Sequence, residues 1–494
     1  MAILGAMTTF TVDQIGASLV VLAVVFAVAA FVRSRVGLLR DLFLPVSVIG
    51  GALALLLGPQ VMGELTGGRS LVSAEVAAIW SRFPSLLINV IFAALMLGKT
   101  LPSIRGLWEA SSGHVTLGYG LSFGQYAFGS LLAITILVPV FGMAPESAAL
   151  LEVAFTGGHG TAAGLSGTFD ELGVGYLADV ALGLATIGLV GGIIVGSLLV
   201  RWAIASPRFT IARQEPLSRA DDHDPGRLAA YDRPAEAPPT VGTPAPATPA
   251  TAAGTPVPAA AVGTPPTTKE DRGIAPLTIA SVAIGLSIVV GWAILEGLRA
   301  VERALTGDDS IMGLMPLFPM TIIGGMLVQL AAVKAGVAGM IDRRRVNEIS
   351  GLSLDVLLLT AIGTMSLAAI GANLGPIVLM SATAIAWSTF AVIVLARRMF
   401  RARWFENSLG DFGQSMGTIA TGFMLMDMAD PAHETGAAES FGYKQLLFEP
   451  FVGGGLITAM AIPFIHAFGA GAMLVVSSIA TVAVLGFGFR LARH

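Results

Sequence analysis

Long apolar runs separated by short polar punctuation set the pattern of this chain. The first, ASLVVLAVVFAVAAFV at 17–32, is apolar on every face, so it matches neither the alternation of a half-buried strand nor the stripe of a soluble helix. Similar runs recur, each near the ~20 residues that cross a ~30 Å hydrocarbon core. They predict helical spans at about 14–33, 41–58, 84–99, 115–141, 176–200, 275–298, 312–332, 352–371, 375–396 and 445–468, with an extra span at 470–489. A membrane barrel would instead show alternating ten-residue segments. The expected fold class is therefore an all-α polytopic membrane protein.

The pattern stops at 204–273. Thirteen of the 26 prolines fall between Pro207 and Pro266, in text such as TPAPATPATAAGTPVP, which can neither continue a helix nor bury a core. A disordered cytoplasmic linker is expected there. It divides an N-terminal half, 1–203, from a C-terminal half, 274–468, and the chain closes with the extra helix and tail, 469–494.

The two halves echo each other. PVSVIGG (45–51) answers PMTIIGG (319–325), GGHGTAAG (157–164) answers GDFGQSMG (410–417), and GLVGG (188–192) answers PFVGG (450–454). Five spans is an odd number, so the second half is expected upside down relative to the first, the arrangement of inverted-repeat secondary transporters.

The glycine-rich segments, 147–170 and 408–430, are too short and interrupted to span, yet too apolar for an aqueous loop. A re-entrant hairpin in each meets both constraints, the first dipping from outside and the second from the cytoplasm. Broken backbone at membrane depth survives only against protein or a water-filled cavity, because each unpaired amide or carbonyl costs several kcal/mol in lipid. Freed amides and half-helix N-termini can hold a carboxylate, and carbonyls and hydroxyls can hold Na⁺. A tight contact between small residues on two helices is the alternative use of such glycines. His159, in the first segment, is a candidate to bond a substrate carboxylate, carry a proton or cap freed carbonyls. Its counterpart is Phe412, so the repeat lends it no support.

Composition sharpens this picture. Of 494 residues 54% are hydrophobic and only 12% charged, and mean hydropathy is +0.80. Soluble domains carry about 25% charged residues, so lipid is expected to cover most of the surface. With the N-terminus outside and its first run retained as a span, one side collects 24 of the 28 Lys and Arg, including Lys444; that side is expected to be cytoplasmic, with the linker and C-terminus. Ionisable residues inside spans are functional candidates by default: Glu152, Asp179, Asp355, Asp411, Asp427 and Glu449. Asp411, within the second glycine segment, is the strongest, for Na⁺ or a proton. Gln329 and Asn373 fit packing roles better.

Other chemistry is excluded. The chain has no cysteine, and no P-loop, HExxH or GxSxG motif, so no thiol site, ATP hydrolysis or hydrolytic zinc centre is expected. An enzyme, a metal cofactor and a nucleic-acid partner are not expected.

GGHGT (157–161), ADVALGLATIGLVGG (178–192), PVSVIGG (45–51) and GDFGQSMG (410–417) together resemble the sodium/glutamate symporter family of bacterial inner membranes. The likeness covers both hydrophobic halves, but not the linker or the last span. It implies two inverted five-span repeats with re-entrant loops, Na⁺ as the coupling ion for glutamate, and a homodimer working by an elevator-like movement. It implies that Gly157, Gly158, His159, Gly160 and Thr161 line the substrate site, with Thr186 and Gly188 on the next helix. Where glutamate-transporting relatives read roughly GHCGFGLG, this chain has Gly410, Asp411, Phe412, Gly413, Gln414, Ser415, Met416 and Gly417. The change puts a carboxylate beside an anionic substrate, which calls for a compensating cation or proton, and leaves Gln414, Ser415, Thr418 and Thr421 as replacement ligands. On this reading Asp411, Thr186 and Thr421 hold the ion. Alternatives are a same-fold transporter of another organic anion, H⁺-coupled through Asp411, or a membrane sensor that has lost transport.

Overall fold

A computed structural model of the chain describes residues 10–41, 44–99, 103–206, 275–308 and 311–493. The linker expected at 204–273 lies outside the described residues from 207 onward. Among the described residues there is no strand, and nine helices are long and apolar enough to cross a membrane. The protein is a polytopic, all-helical membrane protein.

The membrane-length helices of the first half are α1 (Val12–Arg35), α2 (Val46–Gly63), α3 (Ala74–Ala94), α4 (Arg105–Phe141) and, beyond the first glycine segment, α6 (Tyr176–Ala205). Within that segment α5 covers Gly158–Gly164. The second half contains α7 (Pro276–Thr306), α8 (Phe318–Lys334), α9 (Arg343–Thr364) and α10 (Leu374–Met399). Four more helices follow: α11 (Trp404–Met416), α12 (Ile419–Ala429), α13 (Ala437–Phe448) and α14 (Leu456–Leu491).

Polar side chains cap the starts of several of these helices. Thr11 accepts from Gln14 N at 3.2 Å while Gln14 Oε1 accepts from Thr11 N at 2.8 Å, a capping box that begins α1. Asp342 accepts from Arg344 N at 2.9 Å to begin α9.

Several expected boundaries change. The span at 312–332 is the 17-residue α8, shorter than the others. The span at 445–468 is not one helix: α13 stops at Phe448, and α14 begins at Leu456 after a turn containing left-handed Gly453 (φ +71) and Gly454 (φ +107). The expected division before the extra span at 470–489 is present: Gly469 (φ +81, ψ 160) interrupts Leu456–Leu491 with non-helical backbone. Three consecutive glycines, 453–455, explain the second change, because the left-handed region costs a glycine nothing.

Packing cuts across the two halves. α1, α2 and α3 pack with α7, α8 and α9, as a panel in which α9 lies along both α2 and α3 and α8 lies along α7. α4 and α6 pack with α10 to α14, as a core in which α14 runs along α4. Corresponding parts of each half thus come together in space. Lipid supplies no hydrophobic drive between helices, so close backbone approach does the work. A Cβ on Gly291 of α7 would sit 2.7 Å from Met320 O of α8, and one on Gly324 of α8 would run into Ser287 O of α7. α5 touches both bodies, meeting α3 and α9 of the panel and α6 of the core.

Candidate functional site

The first glycine segment is a chain of short helical pieces. A 3₁₀ turn (Pro145–Ala149) and a π turn (Glu152–Thr156) lead to Gly157, and α5 begins at Gly158 with φ +70. The second is a hairpin of 13 and 11 residues, α11 and α12, hinged at Gly417. Its arms can lie antiparallel in contact because Gly413 faces the Gly422 backbone, where a Cβ would overlap Gly422 N and Cα.

The hinges meet. A Cβ on Gly158 would lie 2.6 Å from Gly417 O. On the core side, a Cβ on Gly188 of α6 would lie the same 2.6 Å from Met416 O, and one on Gly417 would press on Leu189 Cα. On the panel side, Gly164 meets Ile88 of α3 and Phe318 of α8. The third break, at 453–455, joins them: Gly454 approaches Thr161 Oγ1 and the Phe92 ring, and Gly453 lies near Thr156 O. Sequence analysis placed PFVGG inside a continuous span and did not count this break among the site segments.

Polar side chains take up the backbone groups that the breaks release. Gln125 of α4 donates to Ser415 O at 2.8 Å and accepts from Thr156 Oγ1 at 2.6 Å, tying the two glycine segments together. Thr418 caps α12 through Thr421 N at 3.2 Å, with the two hydroxyls 3.0 Å apart. Gly454 N donates to Thr458 Oγ1 at 3.3 Å. These contacts remove the several-kcal/mol penalty of an unpaired group in lipid.

His159 is buried with Nε2 2.9 Å from Thr186 Oγ1. The Thr186 hydroxyl donates to Leu182 O at 3.0 Å, so the ring supplies the hydrogen and Nε2 carries the proton. Thr161 bonds Gly157 O at 2.9 Å. Gly157 to Thr161 and Thr186 therefore form one patch.

Asp411 lies elsewhere along α11, in a cluster that the sequence did not foreshadow. Lys444 Nζ of α13 reaches Asp411 Oδ1 at 2.7 Å and Gln414 Oε1 at 2.6 Å, and it sits 3.9 Å from the Phe448 ring centre. His114 Nδ1 of α4 is 2.8 Å from Asp411 Oδ2, and its Nε2 is 3.0 Å from Asn407 Oδ1. Asn407 spends its amide hydrogens on Arg403 O at 2.9 Å, which leaves its oxygen to face the imidazole. Both ring nitrogens of His114 thus face side-chain oxygens. Gln414 Nε2 donates to Gln445 Oε1 at 2.9 Å. Lys444, His114 and Asp411 are each about 1% exposed. Lys444, grouped with the cytoplasmic cations in the sequence, is instead an interior charge, and both Asp411 oxygens, where Na⁺ was expected, already hold partners. Gly410 packs on Phe441, and Ser415 reaches Ser388 Oγ at 3.2 Å.

The remaining acidic candidates separate. Asp179 accepts from Ser366 N at 2.8 Å, capping the short helix Leu367–Ala372. Asp355 is exposed, and Asp427 lies 3.8 Å from His433. Glu449 sits at the third break, interacting with Lys99 and Lys444. Gln329 links Gly98 N and Lys99 O, and Asn373 bonds its own helix at Ala369 O, the packing roles expected of both. Glu152 is fully buried and bonded to Tyr126, Thr458 and Gly453.

No family model, no curated protein and no solved structure matches this chain.

Proposed function

We propose that the protein is a secondary active transporter that carries glutamate or a related small carboxylate together with Na⁺ across a bacterial inner membrane by alternating access. The observation that supports this best is the meeting of Gly158 and Gly417, the hinges of two interrupted helical segments, where the panel and the core abut. Half-helix ends turned toward one point offer amide donors to a carboxylate and carbonyls to a cation. A joint between two packed bodies is also where a sliding or rocking movement changes which face is open. On this reading α11 and α12 are a re-entrant hairpin, the first glycine segment is its inverted counterpart, and the core moves against the panel. The homodimer comes from the family resemblance of the sequence.

One observation favours a second reading. Lys444 and His114 occupy the Asp411 carboxylate, and Lys444 supplies internally the positive charge that Na⁺ would bring. A transporter of another organic anion, coupled to H⁺, fits that arrangement. Thermal-shift binding to the purified full chain, with a panel of carboxylates in NaCl or choline chloride, tests both. Stabilisation by glutamate only with Na⁺ supports the first reading. Stabilisation by a different anion, indifferent to Na⁺, supports the second. A response to no carboxylate at any pH counts against transport of this class.

A further inference from the structure

Glu152 is a fully buried carboxylate without a paired cation. It opens the π turn Glu152–Thr156 and is 0% exposed. Oε1 accepts from Thr458 Oγ1 at 2.9 Å and from Gly453 N at 3.1 Å, and Oε2 meets Tyr126 Oη at 2.5 Å. No Lys, Arg or His among the described residues pairs with it. Among the described residues, the charged and titratable groups on the neighbouring elements are engaged with one another, His466 of α14 with Glu146 at 3.1 Å among them. From α4 comes Tyr126; from the third break and α14 come a backbone amide and a hydroxyl. Asp411 on α11 is held by Lys444 and His114, His159 on α5 by Thr186, and Asp179 on α6 by Ser366 N. Glu449, in the same break, answers to Lys99 and Lys444.

We infer that Glu152 is a proton-binding site, carrying one exchangeable proton that the protein loads and releases as its broken segments move. All three neighbours donate, Thr458 Oγ1 and Gly453 N to Oε1 and Tyr126 Oη to Oε2, and none of them brings a positive charge. An isolated carboxylate in such surroundings is too costly to keep unless neutralised. Na⁺ does not suit the site, because the Gly453 N–H is fixed toward Oε1 and presents hydrogen where a metal needs oxygen.

Position gives the proton a role. Through its carbonyl Glu152 takes the Gly157 amide at 2.8 Å, and through its side chain it takes Gly453, so one residue joins the first and third breaks. The next residue, Gly454, backs onto Phe92, which packs on Phe318 at 5.1 Å between ring centres, both in the panel. Movement of core against panel pulls on the segment that supplies the Gly453 donor. Water then reaches the carboxyl, the proton passes to it, and the carboxylate is left; closing the joint requires a proton to be taken back from the aqueous phase.

The test has two arms, the second of which rests on the transport reading. Infrared spectra of full-length wild type minus Glu152→Gln at neutral pH should show the C=O band of a buried protonated carboxylic acid, absent from the variant and retained in Asp411→Asn. Carboxylate bands alone in that difference overturn the inference, whether or not anything is transported. In vesicles containing a pH dye, uptake of the carboxylate found by thermal shift should acidify the lumen with wild type. Glu152→Gln, which keeps both acceptor contacts, should still bind that carboxylate yet acidify no more than empty vesicles. Wild-type acidification by this variant also overturns the inference. Absence of any uptake by wild type sinks the transport reading and leaves the infrared arm to decide the proton site.

Discussion

Replacing Lys444 by Met removes a charge from the interior while keeping most of the side-chain volume. The lost contacts are the ion pair to Asp411 Oδ1 at 2.7 Å, the bond to Gln414 Oε1 at 2.6 Å and the approach to the Phe448 ring. Gln414 keeps a donor in Gln445 Nε2 at 3.2 Å, and the ring still packs on the methionine. The decisive loss is at Asp411, about 1% exposed, which is left with His114 alone. Stripping one partner from a buried pair typically costs ~3–5 kcal/mol, because a desolvated charge loses its compensation. The His114 contact keeps the cost near the low end, about 3 kcal/mol. Adding Asp411→Asn removes the stranded charge, so the double variant should be more stable than Lys444→Met alone, with a coupling of roughly 1–3 kcal/mol. Thermal midpoints of wild type, both singles and the double in one detergent read this out as an order. The expected order places wild type highest, the double next and Lys444→Met lowest. A Lys444→Met midpoint equal to wild type, or a double variant no better than the lysine single, would refute the argument that this cluster is held by compensated charge.

Two further outcomes follow from particular residues. Gly158→Val should insert and express near wild-type levels but lose uptake in vesicles, since φ +70 costs an L-residue about 1–2 kcal/mol and its Cβ would meet Gly417 O at 2.6 Å; normal uptake would remove the hinge contact from the site. Asp430, after α12, is pushed up by burial, but the Thr435 hydroxyl and amide and the Glu434 amide outweigh this and hold its carboxyl below the usual aspartate range. It therefore stabilises the 430–436 turn above the ordinary value of about 3.9 and loses that contribution as pH falls through the lower native one. Hydrogen exchange at the Glu434 and Thr435 amides should quicken at acid pH in wild type, and be fast and insensitive to acid in Asp430→Ala; slow exchange in the variant would contradict it.

Much of the helical layout was legible because the bilayer imposes it: a segment such as 17–32 has no other way to satisfy its backbone in lipid. Glycine runs marked two of the three breaks: Gly158 takes left-handed backbone, and Gly413 and Gly417 allow close backbone approach. The third, at Gly453–Gly455, was misread because its apolar neighbours Phe451, Val452 and Ile457 kept the hydropathy high across the turn. Asp411 stood out as an acid among apolar residues, but its partners did not: His114 is 297 positions away and Lys444 33.

Sequence by itself determined the membrane class, the helical segments, the Pro/Ala/Thr-rich interruption and the two glycine sites, because each depends on local composition or on the demands a single segment places on its solvent. Tertiary structure alone decided that the halves interleave into a panel and a core. It also brought three breaks to one joint, turned Lys444 inward against Asp411 and left Glu152 with hydroxyl and amide donors but no cation. Pairing of this kind depends on which helix faces come together, and helix faces in lipid meet through backbone approach at scattered small residues, a pattern with no period along the chain.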